Sequence, residues 1–269
     1  MGLYRDRGVA LRTYKLGEAD RIVVLLTEGH GKVRAVAKGI RKTKSRFGAR
    51  LEPPTNTSLL FYEGRELDIV TQADTLDHFR PIREDLGRVT DAMALLEVVD
   101  QVAQEREANP RLYQMLVAAL RTLAERRSPL LVAGFFWKVL SLEGAAPLLD
   151  TCGGCGTPAQ MLTNGAADLV AFDLAEGGAL CRDCRRGVLP HLPGGAPTPP
   201  PRQGWGPLPR PAPSVTPEAL ALIGRILGGA LAEALALPPS AVTTEVAVLA
   251  TRSMEQHLER RLKAVHSLE

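Results

Sequence analysis

Several things are scarce in this sequence. Cysteine occurs only four times in 269 residues, and the four stand in two close pairs. That excludes the disulfide-dense framework of a small secreted domain and makes metal the first reading. No run of about 18 residues is free of charge, so no segment reads as a membrane span. The most apolar window, residues 219–237, still contains Arg225 and Glu233 and reads as a buried helix. Residues 1–8 lack the apolar core of a secretion signal, and the expectation is a cytoplasmic protein.

Signatures of catalysis are also missing. There is no Walker A loop and no HExxH. Gly29-His30-Gly31 looks like the start of GxGxxG, but the third glycine is absent and a second strand follows. The five histidines are scattered, and His257 falls on an apolar helical stripe, where it reads as a packed residue. The 30 Asp and Glu default to solvated surface. The expectation is a protein that is not an enzyme.

Acidic residues are absent from one interval. Between Glu28 and Glu52 there are eight bases and no acid: Lys32, Arg34, Lys38, Arg41, Lys42, Lys44, Arg46 and Arg50. Residues 1–50 hold 13 Lys and Arg against 4 Asp and Glu, a net of +9, whereas the rest hold 20 against 26, a net of −6. A basic end on an otherwise acidic chain calls for an anionic partner there.

What is present divides the chain in two. Over the first 75 residues or so, apolar residues alternate or run in short β-branched stretches. Val9, Leu11 and Thr13 alternate with Ala10, Arg12 and Tyr14; residues 22–26 suit a strand buried on both faces. A turn at Glu28-Gly29-His30-Gly31 leads to a return strand over 32–38, and strands over 57–62 and 66–72 follow a basic loop. Five short strands fit a small closed barrel of the OB kind; a small sandwich or an SH3-like barrel has the same pattern. Lys32, Arg34 and Lys38 share one strand face, Arg12 and Tyr14 share another, and Phe47 adds an aromatic ring to the loop. Cations with an aromatic surface are what OB barrels use on single-stranded nucleic acid. The candidate nucleic-acid residues are Arg12, Lys32, Arg34, Lys38, Arg41, Lys42, Lys44 and Arg46.

From residue 81 the period becomes helical. Leu86, Val89, Met93, Leu96 and Val99 stand at three- and four-residue spacing. Asn109-Pro110, Ser128-Pro129 and Thr216-Pro217 are helix starts, because the polar residue caps and proline's missing N–H costs nothing in the first turn. A last helix begins near Thr243 and carries Val246, Leu249, His257, Leu258, Leu262 and Val265. Residues 190–217 contain 11 of the 20 prolines and read as an extended spacer. The fold class expected is α+β multidomain: an OB-type barrel over 1–80, an all-α domain over 81–148 and 215–269, an inserted zinc-ribbon-like module over 149–189 and a linker over 190–214.

Cys152-Gly-Gly-Cys155 and Cys181-Arg-Asp-Cys184 lie 25 residues apart. Each CxxC is a knuckle that aims two thiolates at one point, and two knuckles complete a tetrahedral S4 shell suited to zinc. Four thiolates leave no open position for a substrate water, so one structural Zn2+ is expected on Cys152, Cys155, Cys181 and Cys184.

These features together resemble the RecO family of bacterial recombination mediators. The resemblance rests on Gly8-Val9-Ala10-Leu11-Arg12 through Lys15-Leu16-Gly17-Glu18-Ala19-Asp20-Arg21, on Gly29-His30-Gly31-Lys32 and on Lys38-Gly39-Ile40-Arg41-Lys42-Thr43-Lys44-Ser45-Arg46. Leu51-Glu52-Pro53 and Tyr62-Glu63-Gly64-Arg65-Glu66-Leu67 add to it, and the cysteine module is similar to that of the zinc-bearing branch. The resemblance implies binding of single- and double-stranded DNA, annealing of complementary strands and partnership with RecR. It further implies help to RecA in displacing the single-stranded DNA-binding protein, contact with that protein's acidic C-terminal tail, and a place at the nucleoid. The basic barrel alone equally suits an RNA-binding OB-fold protein of translation or ribosome maturation. A pure protein scaffold does not account for the cationic end.

Overall fold

The computed structural model describes residues 2–42, 45, 47–186 and 212–266. Lys44, Arg46 and most of the proline-rich segment lie outside the described residues.

The amino-terminal strands are β1 (Leu3–Leu16), β2 (Asp20–Thr27), β3 (Gly31–Ala37), β4 (Asn56–Tyr62) and β5 (Asp68–Asp77). They form a closed barrel in the order β1-β2-β3-β5-β4. β3–β5 is the one parallel pairing, and it is short: Ala35 faces Asp68 and Val36 faces Ile69. The ring is closed and its order OB-like, so the sandwich is excluded. β5 runs five residues past its expected end, because its second half pairs with β4 through Ala73, Asp74, Thr75 and Asp77, a mostly polar stretch with little apolar signal.

The apolar run in β2 is buried on both faces. Val23 and Leu25 point into the barrel with Ala10, Val33, Ala35 and Phe61. Val24 and Leu26, on the opposite face, join Val9 and Leu11 of β1 in the core of the helical domain. A bulge in β1 between Ala10 and Arg12 breaks the strict alternation. Ala10 therefore faces the barrel interior while Arg12, two residues on, faces out.

The helices are α1 (Arg80–Arg83), α2 (Leu86–Val102), α3 (Pro110–Glu125), α4 (Leu131–Leu142), α5 (Arg182–Arg185), α6 (Pro217–Leu227), α7 (Leu231–Ala234), α8 (Ala241–His257) and α9 (Lys263–His266). Asn109 caps α3 by accepting from the Leu112 N–H at 3.0 Å, and Thr216 caps α6 by accepting from Ala219 at 3.2 Å. None of the described helices is long and apolar enough to cross a membrane.

Two helical expectations need correcting. On α2 the residues singled out by spacing include Leu86 and Met93, yet these are 74% and 43% exposed. Leu96 and Val99 of the same stripe are buried, but the second half of α2 buries most of its girth, so spacing alone does not pick out the buried residues. The last helix ends at His257, which is exposed and not packed; Glu259 takes a left-handed φ of 52° and the chain resumes as α9. Glu97 of α2 receives the backbone N–H groups of Lys263 and Ala264 at 3.0 and 2.9 Å, and so starts α9 from another element.

Within the cysteine region, β6 (Leu169–Asp173) pairs antiparallel with β7 (Gly178–Cys181). Pro213, inside the last residues of the expected linker, and Val215, just past it, bond to β6 on its other edge: Phe172 N–H donates to Pro213 O at 3.0 Å and Val215 N–H to Val170 O at 3.1 Å. Leu169, Ala171, Phe172 and Ala179 belong to the same buried cluster as Trp137 of α4.

Candidate nucleic-acid interface and metal centre

The bulge in β1 turns Arg12 onto the outer face of the barrel. On the outer face of β1–β2–β3, Arg12 pairs with Val24 and Val24 with Arg34, giving one cross-strand row. Tyr14, Ile22 and Val36 form the next row. A cleft of about 440 Å³ lies here, lined by Arg12, Tyr14, Ile22, Val24, Lys32, Arg34 and Glu105. Arg12 stands over the Tyr14 ring with its guanidinium carbon 5.1 Å from the centroid, a cation–π arrangement that leaves the ring 43% exposed.

Four residues named from sequence thus come together: Arg12, Tyr14, Lys32 and Arg34. They are not equivalent. Arg34 is exposed on β3. Arg12 gives its Nε to Asp100 Oδ2 at 3.0 Å, and Lys32 gives its Nζ to the Asp100 carbonyl at 2.8 Å. That carbonyl is among the last of α2, where no intrahelical donor remains, so the helix end receives the cation. Asp100 is 6% exposed and its Oδ1 has no partner among the described residues. Burial pushes its carboxyl above the ordinary range, against the pull of Arg12 and Lys32.

The basic loop begins at the far end of the same sheet. Lys38, Arg41 and Lys42 are exposed. Gly39 N–H donates to Asp20 Oδ1 at 2.7 Å, and Arg41 donates to the Glu18 carbonyl at 2.8 Å, which ties the loop to the β1–β2 turn. The apolar residues of this segment turn inward: Ile40, Phe47 and Leu51 belong to the barrel core. Phe47 is 1% exposed and plugs the barrel, so the expectation that it offers a stacking surface is corrected.

The α2–α3 connection straps across β3. Lys32 N–H donates to Gln104 O at 3.0 Å and Arg106 N–H to Lys32 O at 3.1 Å, so residue 105 is bridged in parallel to Lys32. This covers the part of β3 that β5 leaves unpaired. Gly31, at φ 64°, permits the approach, since a Cβ there would collide with the Glu107 carbonyl. Arg106 reaches the buried Asp68 at 2.7 Å, and Tyr4 donates to the other oxygen of that carboxylate. Burial drives the Asp68 carboxyl up, but bonds from Arg106, Tyr4 and the Gly64 N–H outweigh it and hold it below the usual range.

The four thiols converge. The Sγ atoms of Cys152, Cys155, Cys181 and Cys184 all lie within 4.8 Å of one another, with Cys155 and Cys181 at 4.0 Å. A tetrahedral S4 shell at a metal–sulfur distance of about 2.3 Å has edges of roughly 3.8 Å, so the donor set fits a metal ion. Gly154 has no room for a side chain, because its Cβ would stand 3.0 Å from Cys184 Sγ. Burial pushes the Cys152 thiol up, but N–H groups of Cys181, Cys155 and Gly154 outweigh it and bring it down to about 7. Burial and the neighbouring thiols push Cys184 up.

Asp100 and Glu105 did not stand out among the sequence's acids. A faint mark existed for Asp100, an acid flanked by Val98, Val99 and Val102 in the apolar end of α2; Glu105 had none, since only its backbone bridge brings it to β3.

Family comparison matches both parts of this architecture. A model described as Recombination protein O N terminal covers residues 1–79, and one described as Recombination protein O C terminal covers residues 83–240. The barrel with its cationic face and the helical domain with its thiol cluster thus fall to consecutive halves of one family, and the chain belongs to the recombination protein O family of DNA repair and recombination mediators.

Proposed function

We propose that the outer face of β1–β2–β3, continued by the 38–46 loop, holds single- and double-stranded DNA and lets complementary strands anneal. The carrying observation is the exposed row of Arg12 and Arg34 beside Tyr14, with Lys38 and Lys42 at the end of the same sheet. Cations neutralise phosphates and an aromatic ring supports an unstacked base. Annealing needs no covalent step. It needs two polyanions held close with their bases free. Lys44 and Arg46 extend the cationic run in sequence.

Family membership supports the rest of the reading. With RecR, the protein helps to load RecA onto DNA coated by single-stranded DNA-binding protein, whose C-terminal tail it contacts, in the cytoplasm at the nucleoid. The work divides by module: barrel over 1–80 for DNA, helices over 81–148 and 215–269 for protein partners, residues 149–189 around one structural zinc, and 190–214 as a spacer. Zinc is the ion of choice for four thiolates in a closed shell.

The test compares wild type with an Arg34→Ala/Lys38→Ala/Lys42→Ala variant in strand annealing and in salt-dependent binding to a single-stranded oligonucleotide. Arg41 is left in place because it latches a turn. Losing three phosphate contacts should slow annealing and make the log–log salt slope shallower by about 2. An unchanged slope and annealing rate, with the fold intact, would move the DNA site elsewhere.

A further inference from the structure

The cleft on the barrel's outer face contains one group that a phosphate site does not call for. Glu105 lines it together with Arg12, Tyr14, Ile22, Lys32 and Arg34. Its position is fixed by backbone, since the bonds from Lys32 to Gln104 and from Arg106 to Lys32 bracket it. Its side chain is exposed and forms no ion pair with the three cations that share the cleft; among the described residues it has no hydrogen-bond partner either. A carboxylate set there repels phosphate and weakens a purely electrostatic grip.

Beside its three cations the cleft also has an aromatic and an aliphatic wall, which phosphate does not use. Tyr14 presents an exposed ring, held from one side by Arg12, and Ile22 stands beside it across the strand pair. An aromatic ring and an aliphatic side chain suit the flat face of a base. A carboxylate accepts hydrogen bonds and cannot donate them. It therefore meets a base edge that donates: the exocyclic amine of cytosine or adenine, or the adjacent N–H groups of guanine. Thymine has a single N3–H set between two carbonyl oxygens, which a carboxylate repels. Such edges are free only where the base is unpaired.

We propose that this cleft is a base subsite, in which one unpaired base of a bound strand packs on Tyr14 and Ile22 and Glu105 selects bases whose Watson–Crick edge carries an amine. This rests on the DNA-binding reading and adds to it. Arg34 and the loop cations hold the backbone without regard to sequence, and the cleft gives the same surface a preference for single strands and a bias against thymine. The subsite is compatible with annealing, because it takes one base and leaves its neighbours free to pair.

The experiment measures affinities of the full chain for oligo-dC and oligo-dT of equal length at one salt concentration. Wild type should favour oligo-dC by about fivefold, the low end of what one base-edge bond gives. Glu105→Gln, which keeps size and backbone, should remove most of that ratio. Tyr14→Leu should weaken both oligonucleotides by roughly tenfold, as loss of one stacking surface does. Equal affinities in wild type would overturn the proposal. So would a Glu105→Gln variant that gains affinity equally for both, because the residue would then be only an electrostatic brake. A folded wild type that holds neither oligonucleotide fails the broader DNA reading along with the subsite, whereas tight binding without base preference removes the subsite alone.

Discussion

At the scale of single residues, position relative to the barrel wall decides role more than residue type does. Arg12 and Ala10 have the same parity in sequence, and only the bulge between them sends one outward and one inward. Phe47 sits in a basic loop that reads as a binding element, yet its ring fills the barrel with Ile40 and Leu51. Phe47→Ala should therefore cost about 3–5 kcal/mol of stability, measured by denaturant unfolding, because it empties a packed interior. A small change in stability with a large loss of DNA affinity would return the ring to the binding surface. Asp68 makes a separate prediction through acid. Its folded pKa lies below its unfolded one, so its contribution is full above the unfolded value near 4 and is lost as pH falls through the folded value. The stability gap between wild type and Asp68→Asn should be wide at neutral pH and close in acid. A gap independent of pH would mean that the carboxylate's charge adds nothing to the bond with Arg106.

At the scale of elements, the sequence was readable where one local period governed and unreadable where a distant element took over. β2 was plain as an unbroken apolar run and β3 by apolar residues at every second position, and the caps at Asn109 and Thr216 act within their own first turn. The CxxC pairs were legible for a similar reason, since each knuckle is local and only their meeting is not. α2 misled because a helix buried on most sides has no single stripe to read. The break after α8 carries no glycine or proline, and α9 starts where Glu97, more than 160 residues earlier, supplies its acceptor. Of the candidate site, the cations were visible as a one-signed run. Their tethering to Asp100 and the strap bearing Glu105 were not, because both come from the α2–α3 region folding back onto β3.

At the scale of the whole molecule, the modules named from sequence share one interior. Val9, Leu11, Val24 and Leu26 of the barrel, residues of α2, α3 and α4, and Leu169, Ala171, Phe172 and Ala179 of the cysteine module all lie in a single buried cluster. Phe172 meets Trp137 edge-on at 6.0 Å, so the thiol cluster is joined to α4 through a packed aromatic pair. Burying the barrel's β1 and β2 against helices also fixes Arg12 and Lys32 to the end of α2. Loss of the metal should then reach beyond the four cysteines. Zinc in an S4 site of small zinc-finger peptides is worth about 10–16 kcal/mol of apparent binding near neutral pH, and with zinc on the four thiols that energy would hold β6 and β7 in place. Chelation, or Cys181→Ser, should lower the melting temperature of the whole chain and loosen the Trp137 environment, read by tryptophan fluorescence. The barrel keeps its own core of Ala10, Val23, Leu25, Val33 and Phe61. It should accordingly remain folded and retain an oligonucleotide, with a reduced affinity wherever Asp100 no longer steadies Arg12. If the metal-free chain melts as the loaded one does, with unchanged Trp137 emission, the thiol cluster is an appendage and not a staple of the shared core.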